Sequence, residues 1–394
     1  MKTEYWFVLK QSVFVWIKGN ECYFYDSVSF VGQRFMLKDS ETIRFVEALV
    51  DMDNLYSLSL KQEDLKVTGI QLVVEKLETL GWAKLINKCD VNGRPIQLPP
   101  VLNLQSDVRR LEDGTQTDMT TGDGVLKNLQ VLTLKLDDNL TPLFINKLIG
   151  LLKDVSHVSL MELVIYGYSS SLSIPEDFWL QLETLPCLKR FVLNLNEVSC
   201  RLVKQLKGHI SSHLFFEFEI VPNTFSLQLM EDLRRMEVDF KYSFRIFSEE
   251  DFEWATKLIE NYQIEEYLIN PVYTGRNLDF FQSCIYVEER DILDSRQTKQ
   301  NIFAHQALNT NDFGKLTITT DGKVYANCHY PAIGSVDEDI RLLVYREMTK
   351  GTSWLRVRDM KPCSDCVFQW LCPSPSDYEL EIGKTNLCHV VEDK

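Results

Sequence analysis

Short runs rich in aromatic and β-branched residues, Tyr5–Leu9, Val13–Ile17 and Cys22–Tyr25, predict strands at the start of the chain. Gly19-Asn20 separates two of them as a turn signal. Helical spacing of hydrophobic residues follows. Ile43, Val46, Leu49 and Val50 fall on one helical face behind Asp39 or Ser40 as N-cap. Ile70, Val73, Val74, Leu77 and Leu80 repeat that spacing before Gly81, which stops the helix. Strands, helix, short connection, helix: the order predicts a small winged-helix-like module over residues 1–98. Asn92-Gly93, Pro95 and Pro99-Pro100 mark a linker behind it.

Residues 99–300 alternate strand-like and helix-like patterns. Apolar runs begin near Val101, Val131, Leu163, Phe191, Leu214, Phe240 and Tyr267, most of them 24 to 32 residues apart. That spacing fits βα units and a parallel sheet. Helices are marked by Phe144, Ile145, Leu148 and Leu152; by Glu176 and Asp177 behind Pro175; by Leu227, Met230 and Leu233; and by Phe252, Trp254, Leu258 and Ile259. Six or seven such units predict an α/β fold with a partial or complete TIM-type barrel. A doubly wound open sheet is the alternative, and a leucine-rich solenoid ranks third because the spacing is irregular. Residues 301–394 change character. A hairpin is expected around Asp321-Gly322, then an acidic helix over Asp337–Met348, then a cysteine-rich tail.

Charge narrows the options. The chain has 42 Lys+Arg against 57 Asp+Glu, a formal net charge of -15, which disfavours a phosphate backbone as ligand. Within residues 1–98, 12 basic residues face 13 acidic ones, so a DNA-reading winged helix is not expected. No apolar run approaches the roughly 20 residues that span a bilayer, and the start of the chain lacks a secretory pattern. A cytoplasmic protein without membrane or nucleic-acid partners is the expectation. The ends of the predicted parallel strands are poor in chemistry. Asp137 and Asp138 read as a solvated loop that caps the next helix, in preference to a cation site. His157, His209 and His213 lie near helix ends without matching partners. No P-loop, dinucleotide fingerprint or GxSxG occurs.

The cysteines are the most informative feature. Six of ten are scattered: Cys22, Cys89, Cys187, Cys200, Cys284 and Cys328. The other four, Cys363, Cys366, Cys372 and Cys388, form C-x2-C-x5-C-x15-C within 26 positions. In a reducing compartment a disulfide framework is not expected. Two cysteines separated by two residues can chelate one metal atom or adjacent corners of one cluster. Four thiolates suit tetrahedral zinc or a [4Fe–4S] cluster. Spacing alone does not separate the two, although the single CxxC knuckle tilts the reading toward iron–sulfur.

From Gly322 onward the sequence resembles a SPASM domain, the C-terminal auxiliary-cluster module of peptide-modifying radical SAM enzymes. Cys363, Cys366 and Cys372 match its C-x2-C-x5-C element, and Cys388 matches its final cysteine. Gly322 and Cys328 approximate G-x4-C with one residue too many, and Ser376 stands where the family has a further cysteine. The resemblance implies one auxiliary cluster kept, on Cys363, Cys366, Cys372 and Cys388, and one lost, which leaves Cys328 as an ordinary thiol. Trp370, inside the knuckle, either packs over the cluster or fills core.

The CxxxCxxC that binds the catalytic cluster of a radical SAM enzyme occurs nowhere in the chain. Cleavage of S-adenosylmethionine is therefore not expected. As a whole the chain resembles a pseudo-radical-SAM/SPASM protein of ribosomal-peptide maturation systems, and residues 1–98 resemble a PqqD-like peptide-recognition module. The resemblance implies a catalytically degenerate partner that binds a precursor (leader) peptide, a genuine radical SAM maturase, or both. The rivals are a zinc-stapled structural scaffold and an enzyme that modifies peptides by other chemistry in the barrel mouth.

Overall fold

The computed structural model describes residues 4–101, 124–156, 160–169, 172, 174–196, 198–222 and 226–391. The chain begins with β1 (Glu4–Leu9), β2 (Val13–Lys18), β3 (Glu21–Asp26) and β4 (Val31–Met36), then α1 (Ser40–Val50), β5 (Ser57–Lys61), α2 (Thr68–Thr79) and β6 (Ala83–Asn87). These strands form two antiparallel three-stranded sheets, ordered β5-β1-β6 and β2-β3-β4. The second sheet is apolar on both faces. Val13, Cys22, Phe24 and Phe35 point into the core under α1 and α2, whereas Phe14, Tyr23 and Tyr25 point the other way and are equally buried. Alternation puts neighbours on opposite faces, so a strand with aromatics at successive positions needs a partner on each side.

Asp39 caps α1 by accepting the Thr42 N–H. The buried stripe of α1 is Thr42, Phe45, Val46 and Leu49, not the expected set with Ile43 and Val50, and Val50 is exposed. Thr42 can turn inward because its hydroxyl donates to Asp39 Oδ2 at 2.8 Å. Strands β4 and β6 escape a hydrophobicity reading because the runs VGQRFM and AKLIN are mixed in polarity, whereas β5, SLSLK, alternates polar and apolar positions. They form because β3 and β1 offer them backbone partners.

The remaining strands build one nine-stranded sheet. Parallel strands β7 (Val131–Lys135), β8 (Glu162–Tyr166), β9 (Leu188–Asn194), β10 (Leu214–Ile220), β11 (Phe240–Ile246) and β12 (Tyr267–Pro271) lie side by side in chain order. Between them run α3 (Pro142–Val155), α4 (Glu176–Thr184), α5 (Ser199–His209), α6 (Leu227–Arg234) and α7 (Glu249–Tyr262). The order never reverses from β7 to β12, so this run lacks the switch point of a doubly wound sheet. Right-handed crossovers in such an order place the helices on one face. That face carries Leu132, Leu134, Leu163, Ile165, Phe191, Leu193, Phe216, Phe218, Tyr242 and Phe244, all buried in one core. The strand expected from Val101 onward falls outside the described residues.

After α8 (Leu278–Cys284), α9 (Glu289–Asp294) and α10 (Lys299–Ala307), the chain returns as β13 (Lys315–Thr319). This strand pairs in parallel with β7, on the edge away from β8. The expected hairpin follows: β14 (Lys323–Tyr325) pairs antiparallel with β13, and Gly322 supplies the turn at φ +80°. β15 (Gly334–Ser335), α11 (Ile340–Lys350) and α12 (Asp377–Ile382) complete the fold. Among the described residues no helix is long and apolar enough to cross a membrane.

Candidate metal centre

Cys363 opens a 3-10 turn, Cys363–Asp365, and the chain keeps turning. The Cys366 N–H donates to Cys363 O at 3.1 Å, the Gln369 N–H to Cys366 O at 3.2 Å, and the Cys372 N–H to Phe368 O at 3.0 Å. Three cysteines are thus wound around one knuckle. Cys388 arrives from the C-terminal segment, which bridges in parallel to Val287. Val287 N–H donates to Leu387 O at 2.9 Å and His389 N–H to Val287 O at 3.0 Å, which pins the cysteine between them. Neighbouring thiolates, Cys388 among them, oppose ionisation of Cys363, Cys366 and Cys372.

Burial is the largest influence on three of these sulfurs. It pushes the thiols of Cys363, Cys366 and Cys372 above their ordinary range, and mutual repulsion adds to it. Opposing this are N–H donors aimed at sulfur. Arg358 Nη1 stands 3.7 Å from Cys363 Sγ, the Phe368 backbone N–H 3.4 Å from Cys366 Sγ, and Asn386 Nδ2 3.1 Å from Cys388 Sγ. Such donors are the surroundings that thiolate-bound metal centres use. Arg358 is itself buried. Burial works against its charge, but Glu379 and the thiols of Cys372 and Cys363 outweigh that and hold it protonated. The donor set therefore fits a thiolate-bound centre in its chemistry. Among the described residues, no group of three or more His, Cys, Asp or Glu side chains stands at the spacing of a bound ion.

The knuckle is roofed by the first sheet-forming segment of the chain. Phe368 is fully buried and meets the Tyr23 ring edge-on at 4.8 Å. The Arg34 guanidinium lies over the Phe368 ring at 5.6 Å and also pairs with Glu289 at 3.3 Å. Lys18 Nζ donates to Ser364 O at 2.7 Å and to Gln369 Oε1 at 3.0 Å. Tyr25 donates its hydroxyl to Gln297 O at 2.9 Å. The outer face of β2-β3-β4 is thus closed by the knuckle, α9 and α10. Trp370 is half-buried in this same cluster, and its carbonyl lies 3.1 Å from His305 Nδ1.

Other residues singled out by sequence disperse. Asp137 accepts from Asn139 N–H at 2.8 Å and bonds the Thr320 side chain, while α3 is capped by Thr141 and not by either aspartate. His209 stacks on Trp179 at 4.9 Å. His213 adopts φ +54°, and its carbonyl accepts from Lys189 N–H at 2.7 Å. His157 lies outside the described residues. Ser376 takes the N-cap position of α12. Cys328 is exposed and lines a cleft of about 590 Å³ with Lys135, whose Nζ is 3.6 Å from its sulfur.

The helix-free face of the large sheet holds a charge ladder that patterning did not reveal. Arg190 forks onto Glu162 at 2.6 and 3.0 Å and also pairs with Glu217. Lys241 reaches Glu217 at 3.1 Å, and Arg245 reaches Glu219 at 3.7 Å. Register explains the set: Glu217 lies directly opposite Lys241, and all of these residues occupy the alternate positions of their strands.

No family model matches the chain, and no curated protein matches it. Among solved structures, a heterocyclase in complex with substrate and cofactor is similar at 13% identity, over 41% of this chain and 19% of that one, with a TM-score of 0.13. A likeness at that score carries no argument about fold or activity.

Proposed function

We propose that the chain is a non-catalytic, pseudo-radical-SAM partner protein of peptide maturation. Cys363, Cys366, Cys372 and Cys388 hold one [4Fe–4S] cluster, with a single zinc ion as the alternative occupant. The observation that carries the reading is the winding of Cys363, Cys366 and Cys372 around one knuckle, with N–H donors on three of the four sulfurs. A cluster ligated by four protein thiolates supplies structural cross-linking or electron relay and leaves no open iron for substrate.

The finer architecture belongs to the same reading. Residues 1–98 are a winged-helix-like, PqqD-like peptide-recognition module, residues 99–300 a degenerate β/α barrel, and residues 301–394 a SPASM-like domain. The sequential parallel strands β7 to β12, with their polar helix-free face, are compatible with such a barrel. A precursor peptide and a radical SAM maturase are the partners. Strand addition to a sheet edge requires unpaired backbone and no basic patch, and β4 and β5 are both edge strands. Two features favour a non-catalytic role. The chain lacks CxxxCxxC, so no S-adenosylmethionine is expected. The charges on the polar face neutralise one another across β8 to β11.

The test is iron, sulfide and zinc content of protein purified and reconstituted without oxygen, for wild type and Cys366→Ala. About four irons and four sulfides per chain, lost in the variant, support the cluster. One zinc without sulfide replaces it by a structural knuckle. Modification of a precursor peptide by the chain alone refutes the non-catalytic role.

A further inference from the structure

The pair Arg358–Glu379 lies against the cysteine knuckle, where the Glu379 carboxylate also accepts from the Ser376 backbone and faces Arg356. Both side chains are more than nine-tenths buried, at 9% and 5% exposure, and their ion pair is 2.9 Å long. Burying two charges costs several kcal/mol before their attraction repays it. The arrangement is also asymmetric. Arg358 is the member that faces sulfur, through Nη1 at 3.7 Å from Cys363. Its Nε is occupied by Pro373 O at 2.6 Å, and its backbone carbonyl accepts Gln369 Nε2 at 2.6 Å. Pro373 O, Cys363 Sγ and Glu379 Oε1 together hold the guanidinium in one orientation. Glu379, on α12, sits behind it and acts on Cys363 in the opposite sense.

We propose that Arg358 and Glu379 are a paired charge device that sets the electron affinity of the group bound by Cys363, Cys366, Cys372 and Cys388. The inference rests on the cluster reading above. Reduction by one electron adds a negative charge to a centre already surrounded by four thiolates. A fixed cation 3.7 Å from one sulfur stabilises the reduced form, and the carboxylate behind it withdraws part of that stabilisation. Phe368 N–H and Asn386 act in the same direction as Arg358 but carry no formal charge. Arg358 is a positioning and tuning residue: it touches a ligand sulfur and not a reacting atom.

The experiment is a dithionite redox titration at pH 8, followed by electron paramagnetic resonance, on anaerobically reconstituted full-length protein. Removing the cation in Arg358→Met moves the midpoint to more negative potential. Removing the anion in Glu379→Gln moves it to more positive potential. Arg358→Lys, which keeps the charge, stays near wild type, and the double variant Arg358→Met/Glu379→Gln returns toward it. A purely structural role does not produce opposite signs. Four irons per chain with single-variant shifts of the same sign, or with no shift, overturn this inference and leave the cluster reading intact. Zinc, or no metal, in wild type overturns both. If Arg358→Met fails to load iron, Glu379→Gln and Arg358→Lys still decide: a positive shift in the first with an unmoved second supports the device, and any other pattern refutes it.

Discussion

Phe368→Ala tests the contact between the N-terminal sheet and the cysteine knuckle. The ring is fully buried among Tyr23, Phe14, Tyr25, Ile302 and Leu371. Emptying such a site costs about 3–5 kcal/mol, the cavity included. Two contacts within that total can be separated. The edge-on pair with Tyr23, at 4.8 Å, accounts for about 1 kcal/mol. The Arg34 contact at 5.6 Å adds about 0.5 kcal/mol, because that arginine is 43% exposed and well hydrated. A loss near 4 kcal/mol corresponds to on the order of 10³-fold in the opening equilibrium of the elements that meet at the ring. The assay is amide hydrogen exchange. Protection should fall in β3 and in residues 363–372, while amides of β9 and β10, which share a different core, keep theirs. A double-mutant cycle with Tyr23→Ala should return about 1 kcal/mol of coupling. Unchanged protection in β3, or an equal loss throughout β9 and β10, refutes the idea that this ring fastens β3 to the cysteine knuckle.

Three further outcomes are expected. Glu217→Leu strands Lys241, whereas Arg190 keeps Glu162, so urea denaturation should show a loss of about 2–3 kcal/mol, partly restored by adding Lys241→Met. Gly167→Ala should cost at least about 2 kcal/mol in the same assay. Its φ is +74°, and an added Cβ would stand 2.0 Å from Leu136 O. Glu347 is 2% exposed, and burial raises its carboxyl above the ordinary value despite N–H bonds from Trp354 and Ser353, with Asp312 adding to the rise. The folded state therefore binds the proton more tightly than the unfolded one. This contribution to stability is complete below the ordinary glutamate range and is lost as pH rises through the elevated value. Glu347→Gln should flatten that portion of the urea-midpoint profile between pH 4 and 8, and a profile parallel to wild type would count against it.

Much of the fold is written in local pattern. Aromatic and β-branched runs mark β1 to β3, and apolar runs mark β7 to β12 near their true starts, because a strand buried on its helix-bearing face needs large apolar residues at alternate positions. Helix α2 buries four of the five residues its spacing names, Ile70, Val73, Val74 and Leu77. Asp39 is legible as a cap because a short acceptor before an apolar stripe has one geometric use. The four cysteines stand out by density alone.

Other features have no local signature. The mixed strands β4 and β6 take their place from the hydrogen bonds that β3 and β1 offer. The placement of β13 beside β7 joins segments about 180 residues apart in the chain, and no periodicity encodes a strand's neighbour. Nothing near Lys18, Tyr23 or Arg34 announces a contact with Phe368 or Gln369. Arg358 and Asn386 are ordinary polar residues until folding aims them at sulfur. Sequence thus determines which residues seek burial and where backbone turns are allowed, since those depend on each side chain and its immediate neighbours. Tertiary structure decides which charges become paired, which sulfurs gain donors and which faces meet, because those energies arise only once distant segments exclude water together.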